Sequence, residues 1–116
     1  IYDRIFAFAV RTAKFIEKLP RTMTITEYKA QLIRSSSSIG ANMAEADGTL
    51  TRKDFANKIG IARRESRESR YWLELIKNVA DLKDSCLQDE LGWLLKESRE
   101  IMLILSAIIK NTRANL

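Results

Sequence analysis

The chain has 116 residues, a length that suits one compact domain with a real hydrophobic core. It contains 4 glycines and 1 proline, which excludes collagen-like, linker-like and turn-rich all-β proteins, and a hydrophobic content of 46% argues against disorder. Histidine is absent and there is 1 cysteine, so His-dependent catalytic pairs, thiolate metal cages and internal disulfides are excluded, while the net charge of +5 fits either an anionic partner or ordinary solubility charge.

Four amphipathic segments account for nearly the whole chain. Helices are predicted at about residues 3–19, 24–47, 51–82 and 85–113. Pro20 ends the first helix because proline lacks the amide hydrogen that the next turn needs. The pattern Thr24-x-x-Glu27 is a capping box for the second helix, and Gly48 closes it.

The third and fourth helices have long apolar seams with steps of three and four residues, the spacing of a coiled coil. Thr51 with Asp54 starts the third helix, and Ser85-x-x-Gln88 is a capping box for the fourth. The connections are short, so neighbouring helices must be antiparallel. The sequence therefore predicts an all-α fold, an antiparallel up-down-up-down four-helix bundle forming one domain over 1–116.

The second helix has two unusual features. Residues 35–38 are four serines inside a helical pattern, which indicates a small-residue stretch that permits close helix approach. A polar stripe follows the same helix at steps of three and four: Gln31, Arg34, Ser38, Asn42 and Glu45. This stripe is either a solvated face or a hydrogen-bonding stripe that fixes helix register.

The order of motifs resembles a known family. The motifs are Gln31-x-x-Arg34, Ser38-Ile39-x-x-Asn42-x-x-Glu45, Arg52-Lys53-Asp54-Phe55 and Ala62-x-x-Glu65-Ser66-x-Glu68-x-x-Tyr71-Trp72-Leu73. Together they are similar to the bacterial four-helix-bundle proteins encoded within intervening sequences of 23S ribosomal RNA genes. The resemblance implies a bundle that assembles into rings, usually of five. Related members include an accessory protein of diversity-generating retroelements, which implies binding of nucleic acid and a nucleic-acid-processing protein, a reverse transcriptase.

Surplus apolar residues on the last two helices independently favour a homo-oligomer. They lie off the main seams and are predicted to be buried between subunits: Trp72, Leu75, Val79, Leu82, Leu95, Met102 and Ile109. The alternative is a wide apolar stripe within a well-buried helix.

Basic residues on the third helix are the candidate nucleic-acid-binding site. The set is Arg63, Arg67, Arg70, Arg64, Arg52 and Lys53. Arg63 and Arg67 have no acid three or four residues away, whereas Glu65 and Glu68 point to the opposite flank. Opposite charges on two flanks suit either a phosphate-binding stripe or head-to-tail contacts between subunits.

We therefore expect a non-catalytic, cytoplasmic, homo-oligomeric protein that binds RNA or DNA. No catalytic residue, metal site or cofactor is expected, and no apolar run approaches the length of a membrane span. The alternative is a structural or protein–protein interaction module whose charges serve only its own assembly.

Overall fold

The structure, a computed structural model, describes residues 1–114, and this part of the chain forms four α-helices. They are α1 (Tyr2–Glu17), α2 (Met23–Asp47), α3 (Arg52–Val79) and α4 (Ser85–Ala114). Both α1 and α3 pack against α2 and α4, while the diagonal pairs among these helices make no close backbone contact. The helices therefore form a square bundle measuring 49 × 20 × 20 Å, and the predicted all-α four-helix bundle is confirmed.

The core lies along the inward faces that the spacing predicts. Its fully buried large side chains include Ile5, Phe8, Leu32, Ile39, Ile59, Leu73, Leu94, Ile101 and Leu105. Each such burial contributes about 1.5–3 kcal/mol to the free energy of folding. Near the end of α4, Ile109 is buried and its neighbour Ile108 is only partly buried. An α-helix has 3.6 residues per turn, so its buried face drifts away from a strict heptad.

Small side chains bring α2 and α3 together. Ser35 and Ser36 on α2 and Ser66 and Ser69 on α3 are fully buried. The Ser69 hydroxyl donates to Ser35 Oγ at 2.9 Å, which satisfies two polar groups across the helix pair. The serine stretch is therefore helical and lies partly in the core, as predicted.

The start of α2 differs from the prediction. The N-cap is Thr22, whose hydroxyl oxygen accepts from the Ile25 amide at 3.2 Å, and the helix begins at Met23. Thr24 lies inside the first turn, so the capping box predicted there is wrong. Thr22 and Thr24 are two residues apart, and the capping-box pattern predicts the wrong one of the two as the N-cap.

Two other helix ends follow the prediction. Thr51 caps α3 by accepting from the Asp54 amide at 3.1 Å. Gly48 is the C-cap of α2 with φ of −89°, so the left-handed conformation that favours glycine is not used there.

The connection between α3 and α4 is longer than predicted. The helix α3 ends at Val79, not at about residue 82, and Ala80 is extended. Leu82 therefore lies in the connection, where its carbonyl oxygen accepts from the Gln88 side-chain amide at 2.7 Å. That bond holds the connection against the first turn of α4.

The predicted cap of α4 is also displaced by one residue. Asp84 Oδ1 accepts from the Cys86 amide at 2.8 Å, so Asp84, rather than Ser85, satisfies a free amide of the first turn. A carboxylate at this end also interacts favourably with the helix dipole.

Candidate nucleic-acid interface

One flank of α3 faces α2 and its charges are paired there. Arg34 of α2 binds both Glu65, at 3.4 Å, and Glu68. Lys58 Nζ lies 2.7 Å from a carboxylate oxygen of Glu45. The acidic side chains of α3 on this flank are therefore neutralised within the chain.

The Arg34–Glu68 contact shifts both groups toward their charged forms. Burial disfavours the charge of Glu68, but hydrogen bonds from Arg34 and Trp72 outweigh it and lower the pKa of the carboxyl below its ordinary value of 4.5. The same bond to Glu68 raises the pKa of the Arg34 guanidinium. Arg34 is half-exposed, so solvent screens the pair and limits its contribution to stability.

The predicted polar stripe of α2 divides into two kinds of contact. Arg34 and Glu45 join α2 to α3 through ion pairs. Asn42 instead donates within its own helix, to the carbonyl oxygen of Ser38 at 2.8 Å and to its hydroxyl at 3.2 Å. Gln31 is half-buried beside them. Asn42 therefore does not fix the register between helices.

The opposite flank of α3 faces α4. Lys77 lines one groove with Gln88 and Gly92 of α4. Seven-residue steps keep the same face on each helix. Arg70 and Arg63 lie one and two heptads before Lys77 on α3, and Arg99 lies one heptad after Gly92 on α4, so these arginines continue the two sides of this groove.

Six cations on this side and at its outer edge make up the α3–α4 basic face: Lys53, Arg63, Arg64, Arg67, Arg70 and Arg99. Arg63, Arg64, Arg67 and Arg99 form no ion pair with any residue that the structure describes. Arg70 lies 3.8 Å from Glu74, a long and exposed contact. Sequence reasoning missed Arg99, because its place beside α3 depends on the pairing of helices.

The local pattern is also misleading for Arg64. Spacing predicts that Glu68, four residues on, neutralises Arg64, but Glu68 binds Arg34 and Trp72 instead. Arg64 is exposed and adds an unpaired guanidinium to the α3–α4 basic face.

The arginines of α1 are paired with carboxylates of α4. Arg4 of α1 binds Glu97 through two bonds of 2.7 and 2.8 Å and also binds Glu100. Arg11 binds Glu90 and lies over the Trp93 ring at 3.4 Å from its centroid. Hydrogen bonds to Glu97 and Glu90 raise the pKa values of Arg4 and Arg11, respectively.

The first turn of α3 holds the last two predicted cations. Lys53 is exposed and lies two heptads before Arg67 on the same face. Arg52 lines a shallow groove with Phe55 and Asn111, at the end of the bundle. Arg52 therefore stands apart from the centre of the α3–α4 basic face.

The predicted oligomer interface does not form one surface. Trp72 faces α2, where its ring centroid lies 5.8 Å from that of Tyr28, and Leu75 is half-buried. Val79 is 50% exposed, while Leu82 lies in the α3–α4 connection. The assignment of these residues to contacts between subunits stays a prediction.

Two of the predicted interface residues on α4 are placed wrongly. Leu95 and Ile109 are buried in the core of the bundle itself, because the apolar face of α4 is wide enough to contact α3 as well as the central seam. Met102, between them in the heptad pattern, is half-buried.

A different surface exposes large apolar side chains. On α1, Tyr2, Phe6 and Val10 are 45%, 60% and 37% exposed. The groove beside them is lined by Tyr2, Phe6, Ala9, Ser37, Gly40, Ala41 and Ala44 and has a volume of about 300 Å³. Its lining has no charged residue. This α1–α2 apolar face lies across the square from the α3–α4 basic face.

The described residues contain no group of three or more acidic or cysteine side chains arranged to hold a metal ion. Within the same range, no helix combines the length and apolar character needed to cross a membrane.

Comparison with known proteins identifies the family. Residues 1–107 match the family model described as 23S rRNA-intervening sequence protein. The chain belongs to this family. A solved structure from Bacteroides thetaiotaomicron VPI-5482, described as a protein with unknown function from the S23 ribosomal protein family, has a TM-score of 0.82 and 34% identity. The match covers 94% of this chain and 97% of that one. No curated protein matches the chain.

The resemblance inferred from the motifs of α2 and α3 is thus confirmed over nearly the whole bundle. In this member of the 23S rRNA-intervening sequence family, three of the motif residues have a structural explanation. Arg34, Glu65 and Glu68 form one ion-pair network that joins two helices, rather than a site for a ligand.

Proposed function

We propose that this protein is a non-catalytic nucleic-acid-binding protein that contacts RNA or DNA through the α3–α4 basic face. The observation that supports this proposal is the uneven pairing of arginines. Arg4, Arg11 and Arg34 bind carboxylates of the chain, whereas Arg63, Arg64 and Arg67 are left unpaired among the described residues. Free guanidinium groups on one face are a good match for phosphate oxygens.

The dimensions of the face suit a polyanion rather than a small anion. From Lys53 to Arg70 the rise along α3 is about 25 Å at 1.5 Å per residue. A nucleic-acid strand presents a phosphate at every nucleotide, so several cations can bind along its length at once. Counterion release then makes the affinity strongly dependent on salt.

The alternative is that these charges only join subunits. Such contacts need acidic side chains on a neighbouring copy, and Glu65 and Glu68 are the candidates on the opposite flank of α3. Both are bound by Arg34 of their own chain, which reduces the acidic charge available to a neighbour. This pairing favours nucleic acid as the partner of the basic face.

The test compares two double substitutions that remove the same charge. Arg63→Gln with Arg67→Gln should weaken binding to fluorescein-labelled RNA and DNA and reduce the slope of log affinity against log salt by about 1 for each phosphate that is no longer bound. The control is Lys14→Gln with Lys18→Gln on the exposed side of α1, which should leave the affinity and the slope nearly unchanged.

Light scattering on the same variants decides between the two functions. Loss of nucleic-acid binding with unchanged mass supports the proposal. A fall in mass with no effect on nucleic-acid binding supports the assembly role. Wild-type protein that shows no salt-sensitive binding to either RNA or DNA contradicts the proposal.

We also propose that the protein assembles with copies of itself through the α1–α2 apolar face. Phe6 and Tyr2 project beside a groove of small side chains, so one copy offers both the ridge and the recess that a second copy needs. A helical face of 49 by 20 Å provides roughly the 800 Å² per partner found in stable interfaces. Two copies joined through this one self-complementary face have a mass of about 27 kDa, and the ring of five implied by the family resemblance requires a second, different surface on each copy.

A further inference from the structure

An exposed aromatic ring lies at the edge of the α3–α4 basic face. Tyr71 is 57% exposed, one helical turn after Arg67 and two turns after Arg64. Tyr71 is not part of the core, since Leu73 and Ser69 occupy the buried face of this part of α3. The ring is therefore available to a ligand that the neighbouring arginines bind.

The Tyr71 ring packs against Trp72 on one side. Trp72 meets it edge-on, with ring centroids 5.3 Å apart and an angle of 70°. Trp72 is itself fixed, because its Nε1 donates to Glu68 at 3.3 Å and its other side lies against Tyr28. Since these contacts restrict the ring before a ligand arrives, binding to it loses less side-chain entropy.

The acids nearest to Tyr71 are already engaged. Glu68 is bound by Arg34, and Glu74 lies 3.8 Å from Arg70. A phosphate strand approaching Arg64 and Arg67 therefore meets reduced repulsion beside the aromatic ring.

We infer that Tyr71 stacks against one base of a single-stranded RNA or DNA whose phosphates are bound by Arg64 and Arg67. This inference rests on the proposed function and specifies its ligand class. In a duplex each base is stacked and paired with others, so its flat surface cannot reach a side chain. In a single strand the base is free to stack on an aromatic ring, and every base has a suitable surface.

The experiment measures the affinity of wild-type protein for labelled oligonucleotides of about 16 nucleotides, a length that spans the site sizes of single-strand binders. The single strand should bind more tightly than the duplex of the same sequence. Tyr71→Ala should reduce single-strand affinity by about 5- to 100-fold, the range for the loss of one base–aromatic stack. It should leave duplex affinity and the salt slope unchanged, because no charge is removed.

Two variants control for damage to the fold. Tyr71→Phe keeps the ring and should retain wild-type affinity. Met23→Ala removes an exposed apolar side chain from the start of α2, outside both the α3–α4 basic face and the α1–α2 apolar face, and should also have no effect on affinity. Circular dichroism confirms that each variant remains helical.

The outcomes separate this inference from the proposed function. If Arg63→Gln with Arg67→Gln weakens binding but Tyr71→Ala does not, the basic face binds phosphates and the stacking role is wrong. Equal affinity for single strand and duplex also overturns the stacking role. If Tyr71→Ala lowers the mass of the assembly and leaves affinity intact, Tyr71 contacts protein instead, and the inference fails.

Discussion

Buried hydroxyl groups in this bundle differ in how they are paired. Ser69 donates to Ser35 across α2 and α3, and Ser98 donates to the Leu95 carbonyl oxygen within α4 at 2.9 Å. Thr12 of α1 is fully buried, yet its hydroxyl has no hydrogen-bond partner among the described residues. A buried polar group without a partner costs about 1–3 kcal/mol of stability.

Thr12→Val should therefore stabilise the protein. Valine has nearly the same shape and removes the unpaired hydroxyl, so we expect the free energy of unfolding to rise by about 1 kcal/mol. Urea denaturation measures this change. Thr112→Val is the matched control, since that hydroxyl donates to the Ile108 carbonyl oxygen at 2.8 Å and its removal should bring no such gain. A fall in stability for Thr12→Val would show that its hydroxyl is paired in solution.

Among the helices, the α2–α3 pair combines two kinds of contact. Buried serines bring the backbones together, and at the edge Arg34 binds Glu65 and Glu68. The lowered pKa of Glu68 means that its carboxylate is stabilised in the folded state relative to the unfolded chain. The resulting stability is present above the ordinary pKa of 4.5 and is lost as the pH falls through the lower, folded-state pKa.

Arg34→Gln should consequently reduce the pH dependence of stability. At neutral pH the variant should be less stable than wild type by about 1 kcal/mol or less, because the pair is partly exposed. The difference should shrink as the pH falls below the ordinary pKa of 4.5 and through the lower, folded-state pKa, because Glu68 then becomes protonated in both proteins. Urea denaturation at each pH measures it.

Arg70→Gln provides the comparison for this series. It removes one partner of the long, exposed contact to Glu74, which is worth only a few tenths of a kcal/mol. A difference between wild type and Arg34→Gln that stays constant with pH would contradict the role given to Glu68.

The bundle as a whole has two dissimilar sides. The α1–α2 apolar face lies opposite the α3–α4 basic face because α1 and α3 occupy diagonal corners of the square. Self-association through the apolar side leaves the basic side of every copy available. Several linked basic faces can then bind one strand with greater avidity than a single copy.

Phe6→Glu should dissociate the assembly, since it places a charge in the middle of an apolar contact. Light scattering should show a fall toward the monomer mass of 13.3 kDa, with helicity retained because Phe6 is 60% exposed in the bundle. Leu103→Glu is the control, as Leu103 is 51% exposed on α4 and lies away from the α1–α2 apolar face. A wild-type protein that is already monomeric at micromolar concentration, or an unchanged mass for Phe6→Glu, would overturn the proposed interface.

Local patterns along the chain are enough to predict the helices and most of the core. Apolar residues such as Phe8, Ile39, Leu73 and Leu105 recur with helical spacing, and short connections leave few ways to join four helices. The errors concern local choices. The pattern predicts Thr24 as the cap of α2, whereas the structure uses Thr22. It also predicts Leu95 on an external face, because a heptad pattern does not show how wide a buried face is.

Which charges are free depends on packing between helices. From sequence, Arg64 could pair with Glu68 four residues on, whereas Glu68 binds Arg34 from another helix. Sequence reasoning misses Arg99 for the same reason, since it joins the α3–α4 basic face only when α3 and α4 pack together. Local spacing reveals neighbours within one helix, but the rotation of each helix about its axis is set by packing of the core. That rotation determines which side chains meet across helices and which cations remain unpaired.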